Sequence, residues 1–129
     1  MSWIRQILLL APFAFASLGA SAQNDADQLV QHLQTANFNK LLSFWDTQVE
    51  VNLPDFAGQK QYTPVDANEM LRSFYSRNNI IGFEKNAERK VGTTIYLTGK
   101  LLSQNTKYNL TLLMQENKQH LTIVSVRVS

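Results

Sequence analysis

Thr94-Ile95-Tyr96-Leu97-Thr98-Gly99-Lys100-Leu101-Leu102, Tyr108-Asn109-Leu110-Thr111-Leu112-Leu113-Met114 and Leu121-Thr122-Ile123-Val124-Ser125-Val126-Arg127-Val128 are the runs that decide the fold. Apolar residues alternate at Ile95, Leu97 and Leu101, at Tyr108, Leu110, Leu112 and Met114, and at Leu121 and Ile123, followed by Val124, Val126 and Val128. A period of two is that of a strand with one buried face. Ile80 to Val91 precedes these runs, and the breaks fall at Gly92, at Ser103-Gln104-Asn105 and at Glu116-Asn117-Lys118. The pattern predicts strands over Ile80–Val91, Thr93–Leu102, Thr106–Gln115 and Gln119–Val128. Connections this short make neighbours pair antiparallel, so the C-terminal half reads as a meander with one face to cover.

The upstream residues supply the cover. From Asn24 the chain reads as helical, with Asp25 as N-cap and Gln28 reaching back to it. Leu29, Leu33 and Ala36 share a stripe, with Val30 at its edge. Ala36-Asn37 breaks the pattern, and a second short helix capped by Asn37 carries Leu41, Leu42, Phe44 and Trp45. Asp46-Thr47-Gln48 reads as a turn. Val49, Val51 and Leu53 then alternate with Glu50 and Asn52 in a half-buried strand ended by Pro54. Asp55 to Gln59 turn the chain back into a short partner strand ending at Tyr62. Thr63 caps a third helix, with Pro64 at its first position and Asp66 in its first turn. Its core stripe is Ala67, Met70, Leu71 and Phe74, and Asn78-Asn79 closes it. Helices followed by a run of strands define an α+β domain, with the helices collected on one face of a sheet of about six strands.

Met1 to Ala22 stands apart. Arg5 precedes an apolar run from Ile7 to Leu18, and Ala20-Ser21-Ala22 provides a small-residue cleavage site, the arrangement of a signal peptide cut after Ala22. The run is too short for a bilayer-spanning helix and contains Pro12. The expected product is exported, periplasmic or secreted, with no membrane attachment after cleavage, and residues 23–129 form a single domain. The 129-residue chain carries 12 basic and 10 acidic residues. Losing Arg5 leaves a net charge of about +1, which offers no electrostatic basis for nucleic-acid binding. There are no cysteines, so stability must come from packing rather than disulfides.

Ala36-Asn37-Phe38-Asn39-Lys40-Leu41-Leu42-Ser43-Phe44-Trp45-Asp46, the strand Val49-Glu50-Val51, and Tyr62-Thr63 leading into Met70-Leu71-Arg72-Ser73-Phe74-Tyr75 resemble a family of small exported bacterial proteins known as domain of unknown function 4783. The element order is similar to that of the nuclear transport factor 2-like, or cystatin-like, superfamily. The resemblance implies a cone: three helices packed on a curved, mostly antiparallel sheet. It carries expectation about fold and little about activity, since its motifs are packing patterns. Enzymes of that superfamily, such as ketosteroid isomerase and scytalone dehydratase, work in the cone mouth with an Asp or His base and a Tyr or protonated Asp donor. In the isomerase pattern an Asp stands just before the Pro that ends the first strand. Here Leu53 holds that place with Asn52 before it, and an amide cannot take a proton. Glu50 is the nearest carboxylate, but it lies opposite Val49, Val51 and Leu53 in strand parity.

The histidines, His32 and His120, have no second His, Cys or carboxylate at ligand spacing, so no metal and no cofactor are expected. The aromatic residues give the ligand-pocket candidates. Trp45, Tyr62, Phe74, Phe83, Tyr96 and Tyr108, with Tyr75, come from elements that converge in a cone and could line a mouth for a small apolar ligand. Packing is the competing role, most strongly for Trp45 and Phe74, which sit on stripes that must be buried. The outer sheet face is mixed: Thr94, Thr98, Asn109, Thr111 and Thr122 dilute its apolar residues, Leu102, Leu113 and Val124 or Val126, with Tyr96. That composition suits a partner and predicts a homodimer through the sheet. Tyr96 cannot serve both faces, and parity opposite Ile95 and Leu97 leaves its side open. The function expected is that of an exported, non-catalytic binding or interaction module; the alternative is a small isomerase- or dehydratase-like enzyme acting in the cone pocket.

Overall fold

A computed structural model describes residues 24–56, 61–118 and 120–129. The leader, its cleavage site and the Ala57-Gly58-Gln59 part of the first hairpin turn lie outside the described residues.

Helix α1 occupies residues 24–35. Because Asn24 is already helical, Asp25 is an interior residue and not the cap; polar side chains within one turn of each other gave a capping pattern slightly out of place. Ala26, Leu29 and Leu33 are buried, while Ala36 is exposed. Ala36 terminates α1 in the left-handed region at φ 55°, and the Asn37 N–H reaches back 2.9 Å to the His32 carbonyl, the closing bond of a Schellman-type end. A left-handed alanine costs roughly 1–2 kcal/mol, partly offset in a glycine by greater freedom of the unfolded chain. Ala36→Gly is therefore expected to raise stability by about 0.5–1 kcal/mol, seen as a higher urea midpoint at unchanged slope. An unchanged or lower midpoint would count against the strain.

Helix α2, Phe38–Leu41, is capped by the Asn37 side chain, which accepts from the Lys40 N–H, and passes into a 3-10 turn over Leu42–Phe44. Strand β1, Trp45–Asn52, begins at the residue placed last in the second helix. Asp46, Thr47 and Gln48 are thus part of the strand and not a turn, although they fall in an irregular stretch of its ladder: Trp45 pairs with Ile123 and Glu50 with Ser125, five steps on one strand against two on the other. Strand β2 is short, Gln61–Tyr62. Helix α3, Pro64–Arg77, starts at Thr63, whose Oγ accepts the Asp66 N–H at 3.2 Å, and buries Ala67, Leu71, Phe74 and Tyr75. Met70 is only half-buried, on the flank of that stripe.

The meander follows as β3 (Gly82–Val91), β4 (Thr94–Leu102), β5 (Lys107–Asn117) and β6 (His120–Val128). The six strands form one sheet in the order β2-β1-β6-β5-β4-β3. All pairs are antiparallel except β1–β6, which run parallel. The last strand is thereby inserted beside the first, and helices and sheet enclose one apolar core. The free edges are protected. β2 is short, and β3 carries Glu84, Lys85, Glu88, Arg89 and Lys90, charges that discourage pairing with another chain.

Two single-residue bulges interrupt the antiparallel ladders, and a third register shift falls in the parallel pair between Trp45 and Glu50. Asn86 is the extra residue of β3 between Lys85↔Gly99 and Ala87↔Thr98. Val124 is the extra residue of β6 between Met114↔Ile123 and Leu113↔Ser125. An inserted residue reverses parity beyond it, so Ile123 and Val126 both face the core although three positions apart. Val126 is fully buried and does not belong to the outer face.

Candidate functional site

The inside of the cone is occupied by the protein's own side chains. Phe74 is buried and meets the Tyr108 ring edge-on, with centroids 5.1 Å apart. The Tyr108 hydroxyl donates to the Asn78 side-chain oxygen at 3.1 Å, and the Asn78 carbonyl accepts from Ser103 at 2.8 Å. Asn78 in this way ties the C-terminal end of α3 to the β4–β5 turn. Phe83 is buried, and its ring lies against Gly99. Trp45 is buried, with its indole N–H donating to Asn68 Oδ1 at 2.9 Å, while Asn68 Nδ2 donates to the Phe38 carbonyl at 3.0 Å. Among the described residues no charged side chain is buried, and no buried side-chain polar atom, the Trp45 indole and the Tyr75 phenol included, is without a partner.

Tyr75 shows how a buried phenol is satisfied. Its hydroxyl donates 2.8 Å to the Leu33 carbonyl, one of the last carbonyls of α1, which a helix cannot satisfy internally. Its ring packs edge-on against Phe38 at 4.9 Å. Burial pushes the phenol far above the usual tyrosine range, because a phenolate here would be desolvated. A folded-state value above the unfolded one means this contribution is complete below pH ~10 and is lost as pH rises beyond it. Tyr75→Phe is expected to cost about 1–3 kcal/mol at pH 7 and to flatten the alkaline fall in stability above pH ~10. An unchanged alkaline limb in pH-resolved urea titrations would contradict this assignment.

Of the six aromatic candidates, Tyr62 borders an open cleft among the described residues. This cleft, about 580 Å³, lies between a flank of α3 and the end of the β1–β2 hairpin, and Leu53, Tyr62 and Met70 join it to the edge of the core. Leu53, Phe56, Tyr62 and Met70 form its apolar walls; Asp55, Asp66, Glu69, Ser73 and Arg77 supply its polar groups. Helical spacing of three and four puts Asp66, Met70, Ser73 and Arg77 on one flank of α3. The hairpin end is held by the Leu53–Phe56 bridge, with main-chain bonds of 3.4 and 3.2 Å. Arg77 closes one side by donating from Nε and Nη2 to Asp55 Oδ2 at 3.2 and 2.8 Å. Phe56 remains 45% exposed, with its ring tilted 55° to that of Tyr62 and centroids 6.4 Å apart.

The strand position of the isomerase base is not equipped for proton transfer. Asn52 Nδ2 donates to Glu50 Oε1 at 3.2 Å, and Glu50 is exposed. A second, smaller cleft of about 410 Å³ brings together His32 and His120, which are far apart in sequence, with Asp25, Gln28, Lys40, Ser43, Phe44 and Leu121. His32 stacks edge-on against Phe44 at 5.7 Å. Partial burial, then the nearby Lys40 charge, holds its pKa below the usual histidine value. Among the described residues no three His, Asp or Glu groups come together in a metal-binding arrangement.

Tyr96 and the remaining sheet candidates lie on the outer face. Tyr96 is 43% exposed and stands in register with Leu113, which pairs in turn with Ser125. Leu102, Leu113 and Val124 are half-buried. Sequence reasoning missed Asn68, Phe56 and the Asp55–Arg77 pair. The unmet indole of Trp45 was the one signal that called for a polar partner such as Asn68.

The fold is that of the nuclear transport factor 2-like and cystatin-like class. A nuclear transport factor 2-like protein of unknown function from Cytophaga hutchinsonii superposes with TM-score 0.57 at 13% identity, covering 84% of this chain and 88% of that one. A cystatin-like protein of unknown function from Xanthomonas campestris gives TM-score 0.62 at 20% identity, covering 83% and 88%. A DUF4783 family protein from Bacteroides fragilis gives TM-score 0.69 at 19% identity, covering 78% and 92%. The family profile described as Domain of unknown function (DUF4783) matches residues 26–129, and the chain belongs to that family. No match was found among curated proteins. Among the described residues no helix is long and apolar enough to cross a membrane.

Proposed function

We propose that this DUF4783 domain is an exported, non-catalytic binding module that holds a small ligand in the cleft between α3 and the β1–β2 hairpin. The observation that carries this reading is the open, aromatic-walled cleft around Phe56 and Tyr62 beside a cone whose interior is filled. A volume of about 580 Å³ is within the range of small-molecule sites. Amide and leucine at the strand position of the isomerase base weigh against acid–base chemistry there, and the leader composition supports export. The test is native mass spectrometry of protein purified from a bacterial periplasm. A bound small molecule retained by the wild type and lost in Phe56→Ala/Tyr62→Ala is expected. A retained molecule indifferent to both substitutions would refute the cleft assignment.

A homodimer through the outer sheet face is the second reading, favoured by the exposed Tyr96 in a cross-strand row whose ends carry opposite charges, Arg89 beside Tyr96 and Glu50 beside Ser125. Tyr96, Leu113 and Ser125 share one cross-strand row, and Thr98 and Thr111 share the next. Arg89 stands next to Tyr96, Glu50 next to Ser125 and Arg127 next to Thr111, so two copies related by a two-fold axis can set Arg89 of one against Glu50 of the other around the apolar Tyr96–Leu113 pair. Sedimentation of the wild type is expected to show a dimer that Tyr96→Glu dissociates at least tenfold more readily. A wild type that stays monomeric at high concentration would rule it out.

A further inference from the structure

The charge of the same cleft narrows the class of ligand. We infer that the cleft takes a cationic amphiphile, an ammonium or guanidinium group carried on a compact apolar or aromatic body; this rests on the binding-module reading above.

Three carboxylates, Asp55, Asp66 and Glu69, face one guanidinium, that of Arg77, among the described lining residues. Arg77 is committed to Asp55 by two hydrogen bonds to a single carboxylate oxygen. Glu69 has Arg72 at 3.7 Å, a loose and exposed pair that water screens. The Asp66 carboxylate has no cationic partner among the described residues. Among the described residues the lining is therefore negative next to its apolar walls, and an anion would be repelled by it. A neutral apolar body would gain from Leu53, Phe56 and Met70 but leave the carboxylates unused.

A cation uses both halves of the site. Its head meets Asp66 and Glu69, and its body lies against Met70 and the Phe56–Tyr62 pair. A cation over the face of either ring would be attracted by the ring quadrupole. Phe56 is the unusual element: nearly half of a large apolar side chain stays open to solvent, at the rim of a cleft rather than on a scattered surface site.

The test uses three probes with one phenyl body and different heads: 2-phenylethylamine, 2-phenylethanol and 3-phenylpropionate. Each is titrated into the isotopically labelled protein and followed by backbone amide shifts. The amine is expected to perturb Leu53, Phe56, Tyr62 and Met70 and to bind at least tenfold more tightly than the alcohol, with the acid weaker than either. Asp66→Asn combined with Glu69→Gln should remove that tenfold preference. Glu69→Gln alone, outside the α3 cap, should reduce it about threefold without altering the fold. Raising salt should weaken the amine and leave the alcohol unchanged. Equal binding of alcohol and amine would overturn the charge inference and leave the binding-module reading standing. Failure of all three probes to perturb the cleft would overturn both.

Discussion

Gly99→Ala is expected to destabilise the domain by about 3 kcal/mol, out of a total of roughly 5–15 kcal/mol for a domain of this size. A Cβ at Gly99 would stand 2.4 Å from the Glu84 carbonyl oxygen and 2.4 Å from Cζ of Phe83. Neither obstacle can withdraw. Glu84 is fixed in the β3–β4 ladder by its pairing with Lys100, and the Phe83 ring is buried on the core side of the sheet. The glycine makes the groove in which that ring lies, an arrangement in which an aromatic side chain covers the surface a glycine leaves bare. Thermal unfolding should fall by roughly 12–20 °C. The other glycines calibrate the result. At Gly82 the nearest atom to an added Cβ is Leu102 Cδ1 at 3.6 Å, an ordinary contact, so Gly82→Ala should change stability by less than about 0.5 kcal/mol. At Gly92 space is open but φ is +64°, so the cost there is backbone strain of about 1–2 kcal/mol. If Gly99→Ala melted no lower than Gly82→Ala, Phe83 could not lie where the packing places it.

The meander and α3 were legible because their signals are local. Alternation at Ile95 to Leu101 and at Leu110 to Met114 can be met by one face of a strand only, and Thr63-Pro64 marks a helix start through hydrogen-bonding rules that hold anywhere. The parallel β1–β6 pair left no such trace, since it joins segments from opposite ends of the domain. Its consequence was a misread local segment: Asp46 to Gln48 look like a turn until Ile123 is placed beside Trp45. Parity failed at Val126 for a related reason. Strand alternation fixes facing only while the ladder is unbroken, and the bulge at Val124 moves Val126 from the face of Val124 to that of Ile123.

The candidate site was less legible than the fold. Large aromatic residues announce burial or binding equally well, and in a cone the decision depends on whether neighbouring side chains fill the interior. Here Phe74, Tyr108, Phe83 and Trp45 fill it, so the open surface moved to a flank of α3. The cleft residues there are ordinary helix-surface types. What makes Asp66, Met70, Ser73 and Arg77 into one wall is the hairpin end lying across them, through Phe56 and Asp55, and that placement is a property of tertiary structure. The same is true of His32 and His120, which share a cleft only because the start of β6 lies beside the 3-10 turn over Leu42–Phe44.

Asn68→Ala is the other change expected to have a large effect, about 2–4 kcal/mol, although the residue is only half-buried and looks like helix surface. Its amide closes two demands at once: Oδ1 accepts the Trp45 indole N–H and Nδ2 donates to the Phe38 carbonyl. Trp45 opens β1 and Phe38 opens α2, so this side chain joins three elements where α3 crosses them. Removing it leaves a donor and an acceptor at the core boundary, and each orphaned group costs about 1–3 kcal/mol. Water can recover part of this because Asn68 is not sealed. The interaction can be separated from simple loss of helix packing by a double-mutant cycle with Trp45→Phe, which removes the indole donor and keeps an aromatic ring. A coupling of about 1–2 kcal/mol is expected. Tryptophan fluorescence gives a second readout: in Asn68→Ala the Trp45 emission should shift to the red under native conditions as its N–H turns to water. Additive losses in the cycle, with unshifted emission, would show that the amide bonds contribute nothing beyond the volume of the side chain.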